Sequence, residues 1–247
     1  MNSPLDRIRV VLSAPSHPGN IGAAARAMQT MGLSQLVLIN PMRFPDGEAD
    51  ALASGASAIL ASAQVVGTLD AALAGCALAI GFSARPREFA GAAMPVRAAA
   101  HEALRFSAAG DVALVFGTEM SGLSNNDLAR CQIVATIPAN PGHASLNLAA
   151  AVQVAAYELR VAAQGDAVWS APMFAPAAQD EIAQLFAHGE RVLIALDFLR
   201  PAHPKRLLPR LRRLFSRARL EKEEVNILRG ILARIEERMQ KMTHTED

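Results

Sequence analysis

Up to about Arg160 the chain carries five short runs that are apolar on consecutive residues rather than alternate ones: Ile8 to Leu12, Leu36 to Asn40, Cys76 to Phe82, Val112 to Phe116 and Ile133 to Ile137. A strand that is apolar on both faces has to be covered on both faces, and alanine-rich stretches of helical character separate these runs. The pattern predicts an α/β domain, a mainly parallel sheet with helices on both faces. The segment Gln164 to Pro176 is polar and carries Gly165, Pro172 and Pro176, as a linker would. Past it the periodicity is helical only. The expected organisation is therefore a sheet domain over residues 1–163, a linker over 164–176 and a small all-helical extension over 177–247.

Finer spacing sharpens three of the helices. After the first run, Pro15, Pro18 and Gly19 make a turn, with Asn20 expected as N-cap, Gly32 beyond the last turn, and Ile21, Ala25, Met28 and Met31 on the buried stripe. Arg26 then points roughly the opposite way; alone, it reads as an ordinary surface arginine. In the extension, Arg206, Arg210, Arg213 and Arg217 recur at four, three and four and share one stripe, with Leu207, Leu211 and Leu214 expected on the packing flank beside it. The last stretch, Leu220 to Lys241, mixes both charge signs around Val225, Leu228, Leu232, Ile235 and Met239, as an amphipathic packing helix does.

Composition changes this picture in two ways. The 247 residues are 51% hydrophobic and 19% charged, enough for one substantial core and a second small unit. The formal net charge of +1 hides a segregation: the sheet domain has no lysine and its acids balance its arginines, whereas Arg200 to Arg219 holds eight basic residues and no acid. Such a cluster repels itself, which favours a phosphate-binding face over a merely solvated one. Cys76 and Cys131 lack CxxC or Cys/His spacing, so no disulfide scaffold or zinc site is expected, and a reducing, cytoplasmic location is. No run approaches the roughly 18 apolar residues of a membrane-spanning helix, and the amino-terminal apolar stretch is short for a signal peptide.

Three segments carry candidate chemistry, each leaving a predicted strand. Asn20 to Arg26 opens the first helix. Val112 to Leu123 runs from a buried strand into a loop with Gly117, Glu119 and Gly122; open α/β sheets gather ligands at the carboxyl ends of their strands, although a plain tight turn has the same composition. Ile137 to Leu148 crosses a Pro/Gly loop into a helix with buried stripe Leu148, Val152, Ala155 and Leu159. Ser145 and Asn147 would sit at its start, to cap it or to serve a ligand with unpaired backbone N–H groups. No GxGxxG follows the first strand, against a dinucleotide-dependent oxidoreductase.

Together NIGAAAR, FGTEMSGL and IPANPGHASLNLAAAVQ, in this order at strand ends, resemble the SPOUT superfamily of knotted methyltransferases, in its branch of RNA ribose 2′-O-methyltransferases. Similarity continues past the linker through HPKRLLPRLRRLFSRARLEKEEVNILRGIL, as in the TrmJ-type tRNA (cytidine/uridine-2′-O-)-methyltransferases. The resemblance implies a carboxyl-terminal trefoil knot in the sheet domain, a homodimer with a site completed across its interface, and S-adenosylmethionine as methyl donor. It also implies a tRNA substrate methylated at anticodon-loop position 32, no metal and no membrane. By motif position the donor would lie on Phe82, Ser83, Ala84, Gly117, Ile137, Ala144, Ser145 and Leu146. Asn20, Arg26, Glu119, Ser145 and Asn147 would face the RNA or the reacting ribose, and Arg206, Arg210, Arg213 and Arg217 would grip its backbone. A noncatalytic RNA-binding protein keeping the same fold is the alternative, disfavoured by the presence of Arg26, Glu119, Ser145 and Asn147.

Overall fold

Val10 and Leu12 pack on one face of their strand and Val11 on the other, all fully buried, and this double burial organises the whole sheet domain. In a computed structural model describing residues 3–84, 92–165, 172–202 and 205–243, seven strands form one sheet. They are β1 (Ile8–Ser13), β2 (Gln35–Ile39), β3 (Gln64–Val66), β4 (Cys76–Phe82), β5 (Ala92–Pro95), β6 (Asp111–Phe116) and β7 (Ile133–Thr136). The order across the sheet is β3-β2-β1-β6-β4-β7-β5, and every neighbouring pair is parallel.

Helices cover both faces. On one side, α1 (Pro18–Met31), α5 (Val96–Ser107) and α7 (Leu148–Gln164) bury Ile21, Met28, Leu104, Val152 and Leu159 against Val10, Leu12, Leu38, Ile80 and Leu114. On the other, α4 (Leu69–Leu73) and α6 (Asn125–Leu128) bring Leu69, Leu73 and Leu128 against Val11, Val37, Ala79, Ala113 and Val115. Two further short helices, α2 (Gly47–Ala53) and α3 (Ser57–Ala61), join β2 to β3. The packing of α1 on α2 requires Gly22, since a Cβ there would lie 2.1 Å from the Ala49 carbonyl oxygen.

The five apolar runs are β1, β2, β4, β6 and β7. The two strands outside these runs, β3 and β5, are the short sheet edges; β3 is largely exposed and shows neither a buried run nor alternation. The first helix corrects an expectation: it begins at Pro18, whose ring suits the first helical position, so Asn20 lies inside the first turn and is not the N-cap. His17 holds that position without a side-chain cap. At the other end Gly32 closes the helix with φ +81°.

Beyond α7 lie α8 (Gln179–Ala195), α9 (Leu207–Ala218) and α10 (Lys222–Thr243). A small core of Ala177, Leu185, Leu220 and Val225 holds them together, with Ile182, Phe215 and Leu228 packed around it. The packing flank of α9 meets expectation at Leu207 and Leu211, both half-buried, and differs at Leu214, which is exposed while Arg212 and Phe215 turn inward. Residues 175–177 hydrogen bond with residues 220–222, through Ala177 N–H to Leu220 O at 2.9 Å and Lys222 N–H to Ala175 O at 2.9 Å. Arg219 also forms an ion pair with Glu102 of α5.

Candidate active site

Strands β1, β6, β4 and β7 are consecutive in the sheet and parallel, so the segments leaving their carboxyl ends emerge side by side. Three of these segments are tied by hydrogen bonds between residues far apart in sequence. Asn147 is the N-cap of α7, its Oδ1 accepting from the N–H groups of Ala149 (2.9 Å) and Ala150 (3.3 Å). Its Nδ2 donates to Asn20 Oδ1 at 2.9 Å, and Asn20 Nδ2 donates to Glu119 Oε1 at 3.0 Å. Glu119 in turn accepts from the backbone N–H groups of Ser16 and His17 and from Ser16 Oγ at 2.9 Å. A carboxylate from the β6 loop thereby holds the two residues that lead into α1, near the positive end of its dipole.

Partial burial works to raise the Glu119 pKa, but the hydrogen bonds from Asn20 and Ser16 outweigh it and bring the carboxyl down from 4.5 to about 2. At neutral pH it is an ionised, fully engaged acceptor and a poor proton acceptor.

The loop bearing Glu119 folds on itself. Gly122 N–H donates to Thr118 O at 3.0 Å, and the Thr118 and Ser121 hydroxyls lie 2.9 Å apart. Gly117 has no substitute here, because a Cβ would meet the Gly122 and Leu123 backbone at 2.1 Å. Gly122 needs φ +69°. In the third segment, Gly142 N–H donates to Asn140 Oδ1 at 3.0 Å and His143 N–H to Asn140 O at 2.9 Å.

Between these loops opens a cleft of 460 Å³. Phe82, Ser83, Ala84, Gly117, Ile137, Ala144, Ser145 and Leu146 all line it, as do Glu119 and His143. Its floor includes Phe82 stacked on Phe116, ring centroids 4.4 Å apart. Asn20 and Asn147 are not part of its lining and are bonded to each other. Arg26 does not join them: six residues after Asn20, it is exposed and absent from the cleft lining. Arg206, Arg210, Arg213 and Arg217 are exposed along α9, outside the cleft. Residues that sequence reasoning passed over are Ser16, whose hydroxyl and N–H both reach Glu119, and Phe116. Ser16 carries no signal of its own, being one of several polar residues in the turn before α1.

Comparison with known proteins bears on this arrangement. Residues 7–157 match the model of the SpoU rRNA methylase family, and residues 180–244 match the carboxyl-terminal domain of the tRNA methyltransferase TrmJ. The chain belongs to the SpoU methylase family, in its TrmJ group.

Among SpoU relatives, the tRNA (cytidine/uridine/adenosine-2′-O-)-methyltransferase TrmJ of Pseudomonas aeruginosa is 52% identical over 239 residues, spanning 92% of this chain and 93% of its own length. The crystal structure of TrmJ from Z. mobilis superposes with a TM-score of 0.83 at 33% identity, covering 92% of this chain and 98% of that one. The SpoU methyltransferase AviRb from Streptomyces viridochromogenes, solved in complex with AdoMet, shares the fold at 21% identity and TM-score 0.51, covering 65% of this chain and 61% of its own. Among the described residues no helix is long and apolar enough to cross a membrane, and no group of three His, Cys, Asp or Glu side chains could hold a metal ion.

Proposed function

We propose that this SpoU methylase transfers a methyl group from S-adenosylmethionine to the ribose 2′-hydroxyl of a tRNA anticodon-loop nucleotide, cytidine or uridine at position 32. The observation that carries the reading is the chain of hydrogen bonds Asn147–Asn20–Glu119, which draws three motif segments together around one cleft. The name of the Pseudomonas relative and the match of the extension to a TrmJ domain support tRNA as substrate.

The cleft suits S-adenosylmethionine in its donor set. Phe82, Phe116 and Ile137 offer apolar surface for a purine, the loops at Gly117 and Ala144 to Leu146 bring backbone close, and the ionised Glu119 lies in the wall as a counter-charge for a sulfonium. When bound, that donor supplies a methyl group already activated on sulfur, so the protein's share of the work is alignment. Ser145, exposed at the rim, orients the ribose hydroxyl. Asn20 and Glu119 are positioning residues, their polar atoms engaged with each other and with the start of α1. Asn147 holds the α7 terminus and links it to them.

Arg26 reaches the ribose from a second copy of the chain, where it grips the neighbouring phosphate and stabilises charge developing on the 2′-oxygen; its guanidinium, with a pKa above about 12, serves as a cation and not as a base. Its exposure and its absence from its own chain's cleft support this route. The enzyme is thus a cytoplasmic homodimer with a sheet domain over residues 1–163 and a tRNA-gripping extension over 177–247, joined by the segment 164–176. For the trefoil knot, support comes from strand order: β7 is inserted between β4 and β5, which are consecutive in the chain. The test is methyl transfer by the purified protein from labelled S-adenosylmethionine to tRNA, with the modified ribose mapped. Label in the 2′-O-methyl at position 32 is expected; no affinity for the donor, or label on a base, overturns the reading.

A further inference from the structure

A second cavity, of 260 Å³, lies between the sheet domain and the carboxyl-terminal helices, away from the cleft. Its size falls just under the roughly 300–1,000 Å³ of sites for drug-sized ligands, which suits a single small ring system. Two donors in its wall are uncommitted. Gln179, the first residue of α8, is 8% exposed, and its buried Nε2 has no hydrogen-bond partner among the described residues. A buried donor left unpaired is costly, and native proteins rarely keep one without use. The second is Arg212 of α9, whose guanidinium lies 4.4 Å from the centroid of the Phe186 ring. Burial, reinforced by the nearby charge of Arg130, lowers its pKa, so it stands in need of an acceptor.

The rest of the wall limits what that acceptor belongs to. Arg130 is held by Asp70 at 2.7 Å, Arg219 by Glu102, and Asp180 accepts a long bond, 3.4 Å, from Gly75 N–H. Acids and arginines roughly balance, which disfavours a multiply charged phosphate inside and favours a neutral ring with carbonyl acceptors and N–H donors at its edge. Phe186 and Phe215 add flat apolar surface. While Arg212 and Phe215 face the cavity, Arg210, Arg213 and Arg217 face solvent from the same helix.

We propose that this cavity receives one unstacked nucleobase of the tRNA, its ring on the Arg212–Phe186 pair and a ring carbonyl accepting from Gln179 Nε2, while the adjoining phosphates lie along the exposed arginines of α9. The inference rests on the tRNA substrate of the proposed function. A base splayed from the stack is read by its edge and by stacking, whereas phosphate contacts give register alone.

Gln179→Leu in the full-length protein tests it by steady-state methylation of tRNA. The expected result is a tRNA KM raised about tenfold, the effect of one lost hydrogen bond, with kcat and S-adenosylmethionine binding unchanged. Tm should stay the same or rise, because leucine removes an unpaired buried donor; a merely structural glutamine would lower Tm and leave KM alone. In parallel, tRNA substituted with 4-thiouridine is expected to crosslink to the peptides bearing Phe186 or Phe215. A wild-type KM in Gln179→Leu, or crosslinks confined to other peptides, overturns the pocket while wild-type turnover leaves the methyltransferase reading standing. If millimolar uridine or cytidine raises the Tm of wild type but not of Gln179→Leu, and KM for tRNA is unchanged, the site takes a free nucleoside and the RNA-borne assignment is wrong.

Discussion

Replacing Glu119 by glutamine keeps its size and removes its charge, so Glu119→Gln isolates what the carboxylate contributes at the start of α1. One amide oxygen cannot accept from Ser16, His17 and Asn20 together, and the new NH₂ faces donors. Lowering the pKa from 4.5 to about 2 would correspond to about 3 kcal/mol for a fully buried group. Glu119 is only partly buried, so solvent screening reduces this to about 1–2 kcal/mol at neutral pH. For a chain of this length that lowers Tm by about 2–8 °C. The sign with pH follows from linkage: a carboxyl whose folded pKa lies below its unfolded value stabilises fully above about 4.5, and the contribution fades as pH falls toward about 2. Denaturant unfolding of wild type and Glu119→Gln, at matched protein concentration from pH 7 to pH 3, should show curves that converge on acidification. A gap that is constant with pH, or no gap at pH 7, refutes the account of Glu119 as an ionised clamp.

Two further outcomes are expected. Arg26→Ala should abolish methyl transfer to tRNA while calorimetry finds S-adenosylmethionine binding nearly intact; equal loss of both contradicts the proposal that it contacts phosphate and alkoxide from a second copy. Neutralising Arg206, Arg210 and Arg213 to alanine should reduce the slope of log affinity for tRNA against log salt by about 2, as expected for three lost phosphate contacts on a nucleic acid. An unchanged slope would mean that α9 is a solvated basic face.

The buried strands were legible because a sheet covered on both sides leaves uninterrupted apolar runs, and Val10, Val11 and Leu12 of β1 display that double burial. The edge strands were not, since β3 is short and solvated and takes its conformation from pairing with β2. The start of α1 misled for a related reason. Asn20 is a good N-cap by residue type, but Pro18 sets the first turn and the entry to the helix is held by Glu119, about a hundred residues away in sequence, which no local rule detects. On α9 the arginine spacing marks the outward stripe and Leu207 and Leu211 keep the packing flank, whereas Leu214 is exposed and Arg212, its guanidinium laid on Phe186, takes an inward place. Gln179 had no sequence signal at all; an unpaired buried amide is visible only once its surroundings are.

The polar residues of the three motif segments divide by what is already bonded to them. Asn20 and Glu119 spend their side chains on each other, on Ser16 and on Asn147, and Asn147 spends its oxygen on the α7 terminus. None of these bonds has to form when RNA arrives, so the loops are held in place before the substrate binds and no ordering cost falls on the encounter. Ser145 and Arg26, by contrast, are exposed side chains free to make new bonds. A methyl transfer that depends on aligning one oxygen behind one carbon needs both classes, a fixed frame and a few mobile contacts. Because Glu119 holds its carboxylate far below neutral pH, the frame does not titrate in the range where the enzyme works. Any pH dependence of turnover near neutrality must therefore come from the ribose hydroxyl or from groups outside the Asn147–Asn20–Glu119 chain.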